Sequence, residues 1–374
     1  MKILFITPFN LFPPYWGGGT RTYNLIKHLS KNHKIYLVYP SFKQFKDKDP
    51  TKHKKELRDL GVELFEVNTP FGIIQYTNPN MALKALTLII RKQIDLVICD
   101  YPWSGFYMLF LHFLSGKKFV FIEHNIEYLI KWQIGARYVN LMKILEKLLS
   151  KRASAITTVC DEDKENLSNF NSVYEKAFVL ENGFDEQMFY PDKTYNQEVR
   201  TNLNIDNDPL ILFVGKLDYP PNKEAVYKIR WDIMPRVLEK IPNAKFIIVG
   251  GGHKFDLDHN SLIFAGVVDN IERYVNAADV VITPLLKGGG TRIKILESIA
   301  CGKTVVTTNK GAENLVNDLT KPFLKIADDW GTFSNYIIES LNNNDPPQPS
   351  GEFVKRYSWT EIYKKMDKIL ENIK

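Results

Sequence analysis

The stretch with the most chemistry in it is Pro284-Leu285-Leu286-Lys287-Gly288-Gly289-Gly290-Thr291-Arg292-Ile293-Lys294-Ile295-Leu296-Glu297. An apolar run, Val280–Thr283, gives way to three glycines, and helical spacing begins at Thr291. Glycines let backbone amides approach an anion closely, and the positive end of the new helix then points at it. Arg292 and Lys294 would add full charges beside that anion. Ile293, Lys294 and Glu297 fall on one helical face. A carboxylate there suits the paired hydroxyls of a ribose, as the acidic residue does in dinucleotide-binding folds. A glycine-rich surface loop with a solvated glutamate is the plainer account of the same residues.

A second glycine run, Trp16-Gly17-Gly18-Gly19-Thr20, follows the first apolar stretch and opens a helical segment, which reads as another anion-type nest. The dinucleotide pattern Gly-x-Gly-x-x-Gly would follow its strand directly; here Pro8 to Tyr15 intervene, which speaks against a dehydrogenase. A flexible surface loop is the alternative. Glu123-His124-Asn125-Ile126-Glu127 follows the apolar run Phe119–Ile122, where the site residues of an open sheet gather, and Asp100 ends the run before it. A lone histidine there is equally a satisfied structural residue. The pairs Asp47/Asp49, Asp161/Asp163, Asp206/Asp208 and Asp256/Asp258 have the spacing that holds a divalent metal on a nucleotide sugar. They sit in charged linkers or helix starts, so they read as solvated carboxylates; no metal is expected. The remaining histidines (His28, His33, His53, His112, His253, His259) show no ligand spacing.

These residues need a scaffold, and the sequence supplies one by alternation. Short apolar runs at Ile3–Thr7, Ile35–Tyr39, Val62–Val67, Leu96–Cys99, Phe119–Ile122, Ala155–Val159 and Ala177–Leu180 are separated by helical patterns such as Thr20–Leu29, Met81–Arg91, Trp103–Leu114, Trp132–Leu149 and Asp161–Phe170. Near-continuous apolar strands between helices indicate a parallel sheet covered on both faces. From about Gly183 to Asp208 the chain turns polar and reads as a linker. The alternation then restarts with strands Leu210–Val214, Lys245–Val249, Leu262–Ala265, Val280–Thr283 and Val305–Thr307 and helices Tyr227–Leu238, Ile271–Ala277, Thr291–Ala300 and Trp330–Leu341. The fold class is therefore α/β: two Rossmann-like, doubly wound parallel-sheet domains facing a cleft. Expected boundaries are 1–185, 186–355 and 356–374, the last a terminal helix returning to the first domain. A final helix is expected over Gly351 to Lys374, after the Pro-rich stretch Asp345 to Pro349, and Lys43–Arg58 reads as a basic loop.

With this order of pieces, the segment around Gly288–Glu297 resembles the donor-binding signature of retaining glycosyltransferases with the two-Rossmann GT-B fold, family 4 type. Their usual form is Glu-x7-Glu; Glu297 matches the second glutamate, and Gly289 stands where the first would be. Phe213-Val214-Gly215-Lys216-Leu217 resembles the strand whose end offers a cation to the donor diphosphate, with Lys216 at that position. The family's second lysine aligns with Pro221, and Lys223 or Arg292 is the candidate replacement. Asn182-Gly183-Phe184-Asp185 resembles the interdomain turn, Phe264-Ala265-Gly266-Val267-Val268 the segment that meets the nucleotide base, and Tyr357-Ser358-Trp359 the start of the terminal helix. The resemblance covers nearly the whole chain. It implies catalytic roles for His124, Lys216 and Arg292. It implies donor contacts from Gly18, Gly19, Val267, Gly289, Gly290, Thr291, Ile293, Lys294 and Glu297. The first domain would bind the acceptor and the second the nucleotide sugar. It further implies a nucleotide-diphosphate sugar as substrate, no cofactor, and a glycan or lipid-linked acceptor of the kind used in polysaccharide assembly. A nucleotide-sugar epimerase of similar fold and a catalytically inactive nucleotide-sugar-binding protein are the alternatives.

Bulk properties narrow the setting. The net charge of +6 resides in residues 1–190, with 25 basic against 19 acidic residues. A basic first half could face an anionic membrane, a phosphorylated acceptor, nucleic acid or nothing but water. Trp132–Arg152 alternates apolar and basic residues at helical spacing; it reads as a core-packed helix with a solvated face, or as an interfacial helix. Basic residues are not interleaved with aromatics on one face as nucleic-acid binding requires. Three scattered cysteines, Cys99, Cys160 and Cys301, lie in apolar stretches without metal or redox spacing and read as reduced thiols. Met1–Pro8 lacks a signal-peptide core, and no apolar run is long enough to span a bilayer. The expected location is the cytoplasm, with peripheral contact at the inner membrane face through the basic first domain.

Overall fold

The computed structural model describes the chain apart from residues 42–48, 69–77, 134, 169, 171, 172, 206, 290, 344, 345 and 374. It divides into two compact units, Met1–Glu181 with Trp359–Lys374, and Asn182–Ser358. The joints therefore fall at 181/182 and 358/359, rather than at the expected 185/186 and 355/356. The chain from Asn182 to Asp185 goes with the second unit because Asn182 Nδ2 donates to the Thr291 carbonyl and Phe184 pairs with the backbone of Tyr357 and Ser358.

In the first unit the strands are β1 (Lys2–Ile6), β2 (Lys34–Pro40), β3 (Glu63–Val67), β4 (Leu96–Asp100), β5 (Phe119–Ile122), β6 (Ala155–Thr158) and β7 (Ala177–Val179). They form one parallel sheet in the order β3-β2-β1-β4-β5-β6-β7, in which Ile3 sits opposite Ile35 and Leu96. The order reverses between β1 and β4, which opens a crevice outside their carboxyl ends. The helices are α1 (Gly17–Leu29), α2 (Thr51–Asp59), α3 (Pro79–Lys92), α4 (Gly105–Ser115), α5 (Glu127–Gln133), α6 (Val139–Arg152) and α7 (Asp161–Ser168). One core layer packs Leu4, Val97 and Phe119 of the sheet beneath Leu88 of α3, Met108 of α4 and Leu145 of α6, so these three helices lie side by side on one face. Starts and stops are local: Asn78 Oδ1 accepts from the Asn80 amide ahead of Pro79, and α4 ends at Gly116 in the left-handed region.

The second unit repeats the plan with β8 (Leu210–Val214), β9 (Lys245–Val249), β10 (Leu262–Gly266), β11 (Val280–Thr283), β12 (Val305–Thr307) and β13 (Leu324–Ile326), in the order β10-β9-β8-β11-β12-β13. Its crevice opens between β8 and β11. The helices are α8 (Thr194–Leu203), α9 (Pro220–Lys228), α10 (Met234–Lys240), α11 (Ile271–Ala277), α12 (Ile293–Ala300), α13 (Trp330–Leu341) and α14 (Gly351–Tyr357). A π-helical turn, Ile229–Ile233, joins α9 to α10. Pro235 explains it: lacking an N–H and crowding the carbonyl one turn back, it is accommodated by the wider turn. A last helix, α15 (Trp359–Glu371), belongs to the first unit and packs on α1, with His33 Nε2 2.5 Å from Asp367 Oδ1 just beyond the end of α1.

Five sequence readings change, the first being the single helix Tyr227–Leu238, which spans the end of α9, the π-helical turn and α10. The basic stretch ending at Arg58 contains α2, held by Leu57 in the core. The supposed linker contains α8, whose Val199 is buried against the second unit. The single helix Trp132–Leu149 is two, α5 and α6, parted near Gly135, which has φ +68. The final helix is also two, because Ser358 leaves helical geometry with ψ 144. The short strand β13 is an addition, because Lys325 interrupts the apolar run that marks the equally short and fully buried β12.

Candidate functional site

Each unit assembles a cluster at its own switch point. In the second unit β8 ends at Val214, and Gly215 and Lys216 follow directly. Lys294, in the first turn of α12, donates from Nζ to the Val214 carbonyl (2.6 Å) and approaches Asn222 Oδ1 (3.3 Å); Asn222 Nδ2 donates in turn to the Lys216 carbonyl (2.9 Å). One asparagine thus ties the end of β8 to the glycine loop's helix. Lys216 Nζ is 3.9 Å from Asp218 Oδ2. Gly288 has φ +108, a backbone conformation that side-chain-bearing residues rarely adopt, and a Cβ there would stand 3.2 Å from Tyr219 Oη and in ordinary contact, 3.5 Å, with Arg292 Nη2. The loop therefore runs close to both.

Arg292 is the residue before α12, buried, and its Nη1 donates to the Gly289 carbonyl, so it braces its own loop. Burial lowers its pKa, against the pull of Tyr219 and Glu313. Burial, together with the Arg292 charge, brings Lys294 down to about 7, and burial lifts Glu297 to about 8 against the opposing influence of Lys294. Thr291 is buried, and its Oγ1 has no hydrogen-bond partner among the described residues. Ile293 is buried at the start of α12, and Val267 follows β10. Gly290 lies outside the described residues, as do Asp47 and Asp206.

A glycine run that the sequence reading passed over completes this cluster. Gly250-Gly251-Gly252 follows β9. A Cβ on Gly250 (φ +145) would fall 1.8 Å from the Gly215 carbonyl oxygen, one on Gly251 2.4 Å from Val267 Cγ2, and one on Gly252 (φ +118) 2.4 Å from Asp218 Oδ1. The signal is present in the sequence, since a strand followed by three glycines is the same pattern used at Gly288–Gly290.

In the first unit Gly17–Gly19 are the first turn of α1 itself, with Trp16 before them, rather than a separate nest. Helix amides point out from such a turn. Gly18 and Gly19 are required by crowding: a Cβ on Gly18 would lie 2.0 Å from Tyr101 Oη, and one on Gly19 2.5 Å from Trp16 Nε1. Tyr101 follows β4 at φ 62, an uncommon conformation for a tyrosine, and its ring stacks on His124 at 3.9 Å and 8°. His124 Nε2 is 2.7 Å from Asp100 Oδ1, while Asp100 Oδ2 accepts from Thr22 Oγ1 (3.0 Å). His124 is buried, and burial, helped by the Arg21 charge, lowers its pKa against the opposing pull of Asp100, which favours the neutral ring at pH 7. With Asp100 accepting from Nε2–H, Nδ1 is left as the acceptor nitrogen. Arg21, also buried, donates to the carbonyls of Leu180 (2.7 Å) and Glu181 (2.8 Å), fixing α1 to the chain beyond β7. Tyr101, Arg21 and Thr22 carry no sequence signal: a buried aromatic, arginine or threonine looks like any other until the fold brings it to β4.

Gly18, Gly19 and His124 thus meet in one unit. Lys216, Val267, Gly289, Thr291, Arg292, Ile293, Lys294 and Glu297 lie around the switch point of the other.

Comparison with known proteins agrees with this architecture. Residues 16–187 match the Glycosyltransferase Family 4 model, and residues 208–343 match the model for glycosyl transferases group 1. An uncharacterised glycosyltransferase of Methanocaldococcus jannaschii is 24% identical over 97% of this chain and 98% of its own. A phosphatidylinositol N-acetylglucosaminyltransferase subunit of Arabidopsis thaliana is 23% identical over 98% of this chain and 81% of its own. Among solved structures, HepE of Anabaena in complex with UDP and glucose shares the fold with a TM-score of 0.76 at 17% identity, all of both chains being covered. With two parallel-sheet units and glycosyltransferase models matched in each, the chain is a glycosyltransferase of the GT-B type.

Proposed function

We propose that the protein is a retaining, metal-independent glycosyltransferase that moves a sugar from a nucleotide-diphosphate donor to a glycan or lipid-linked acceptor. The observation that carries the reading is the junction of Lys216, Arg292, Lys294 and Glu297 around the end of β8. Cations and loop amides gathered there suit a diphosphate, and Glu297, one turn into α12, suits the ribose. The second unit is the donor domain in this reading, and the first the acceptor domain.

The bond from the anomeric carbon to the diphosphate oxygen breaks with its electron pair going to the diphosphate. The acceptor oxygen bonds on the face just vacated, and its proton passes to the departing phosphate oxygen. Negative charge grows on the leaving group, where Lys216, Arg292 and the glycine-loop amides stabilise it; single groups of this type are worth about 3–4 kcal/mol. His124, neutral with Nδ1 as acceptor, would take a hydrogen bond from a sugar hydroxyl. Two features of relatives support the substrates: HepE was solved with UDP and glucose, and the Arabidopsis relative is named a phosphatidylinositol N-acetylglucosaminyltransferase. Peripheral action at the cytoplasmic membrane face follows from a lipid-linked acceptor. Among the described residues, no group of three or more His, Cys, Asp or Glu side chains could hold a metal ion, and no helix is long and apolar enough to cross a membrane.

The test is a thermal-shift panel of nucleoside diphosphates and their sugars, followed by proton NMR of the product made from the best donor. One nucleotide family should raise the melting temperature, and the product should keep the donor's anomeric configuration. No shift with any donor, or an inverted product, contradicts the proposal.

A further inference from the structure

Among the described residues, nothing covers one surface of the first unit. α3, α4 and α6 lie side by side over one face of the sheet and bury one stripe each, yet their outer stripes are also apolar. Phe113 is 84% exposed, Ile90 69%, Leu83 61% and Ile144 56%. Trp132, at 70%, extends the surface along α5, which packs on α6. Between α3 and α4 runs an apolar groove of about 320 Å³, lined by Pro79, Ala82, Leu83, Phe106, Tyr107 and Phe110. Large side chains this exposed and this contiguous are rare on a face meant for water.

The charges on the same helices have one sign. Within α3, α4, α5 and α6 the only acidic residues are Glu127 and Glu146, and both are buried. Glu146 is used internally, accepting from the amides of Glu127 and Tyr128. Arg91, Lys143, Lys147, Lys151 and Arg152 are exposed on these helices. A second copy of the chain would bring those cations against one another, so self-association through this face is disfavoured. An anionic bilayer satisfies both features at once, because lipid phosphates attract the cations while the rings and aliphatic chains enter the acyl boundary.

We propose that the outer face of α3, α4 and α6 docks on an anionic lipid surface, with Phe113, Leu83, Ile90 and Ile144 inserted and the groove between α3 and α4 taking part of an acyl chain. Its purpose rests on the lipid-linked acceptor reading above, but its test does not use transfer. The full chain is mixed with vesicles of phosphatidylcholine alone or with roughly one-third phosphatidylglycerol, and the bound fraction is measured by flotation. Binding should require the anionic lipid and weaken as salt rises. Phe113→Ser with Ile144→Ser, and separately Lys143→Glu with Lys147→Glu, should each lower partitioning by roughly tenfold or more. Lys240→Glu, a control on α10 in the second unit, should leave it unchanged. All these positions are exposed, and the nucleotide-induced thermal shift of each variant reports an intact donor site. Absence of vesicle binding by the native chain, or equal binding by the variants of this face, overturns the proposal while leaving the donor chemistry standing. A concentration-dependent dimer abolished by the same variants also overturns it, assigning the face to a second copy.

Discussion

Lys294 occupies a place where burial and the Arg292 guanidinium work against its charge, and its pKa sits at about 7. Glu297, three residues on, is held up at about 8 by the same burial. By itself the site therefore keeps this pair only partly ionised near neutrality, and an arriving diphosphate would favour the protonated lysine. The sequence reading gives Lys294 a full charge aimed at the anion; the fold first engages its ammonium with the Val214 carbonyl. A stability prediction follows for Glu297. Its folded pKa is raised, so the folded state binds more protons than the unfolded one above pH 4.5, and stability is lost as pH rises toward 8. Between about pH 5 and 6.5 Lys294 stays largely protonated in both states, which isolates the glutamate. Urea midpoints of the native chain should fall across that range more than those of Glu297→Gln; parallel curves would mean that the carboxyl is not held protonated. At Lys216 the expectation is kinetic. Lys216→Ala should lower turnover by about 10²-fold or more while moving the melting temperature little, since the side chain is partly exposed. Native turnover would remove it from the leaving-group role.

At the scale of elements, glycine positions join architecture to site. Gly250 brings the end of β9 against the Gly215 carbonyl at φ +145, so Gly250→Ala meets both strain and a backbone clash. It should destabilise the second unit by about 3 kcal/mol or more, measured by denaturant unfolding; a cost under about 1 kcal/mol would mean that the backbone yields easily. Gly18→Ala should instead displace Tyr101 and Trp16 and lower activity with a smaller cost in stability, because the clash is with side-chain ends. These elements differ in how far the sequence discloses them. Buried parallel strands such as Phe119–Ile122 and Lys245–Val249 are near-continuous apolar runs, and their ends are legible to the residue. α2 and α8 are not, because each is mostly polar with a narrow buried stripe, Leu57 in one and Val199 in the other. The break between α14 and α15 is hidden by helix-friendly residues on both sides of Ser358.

Over the whole molecule, the two units share one plan but not one charge balance, and the exposed apolar face of α3, α4 and α6 lies in the basic half. Alternating strands and helices make both sheets legible, whereas the meeting of Asn222 with Lys294, or of Tyr101 with His124, depends on contacts between distant segments that no local pattern carries. Two units with separate cores also need not unfold together. A nucleoside diphosphate at about 100 times its Kd should stabilise the unit it binds by about 2.7 kcal/mol, and calorimetry should show the gain in the transition of Asn182–Ser358. Whether Lys216 and Arg292 hold the diphosphate is decided by calorimetric titration of a nucleoside diphosphate into the native chain, Lys216→Ala and Arg292→Lys. Charge-assisted contacts with the diphosphate predict that each substitution weakens binding by roughly 10- to 100-fold, while the corresponding nucleoside binds all three alike. Native affinity for the diphosphate in both variants would contradict the account.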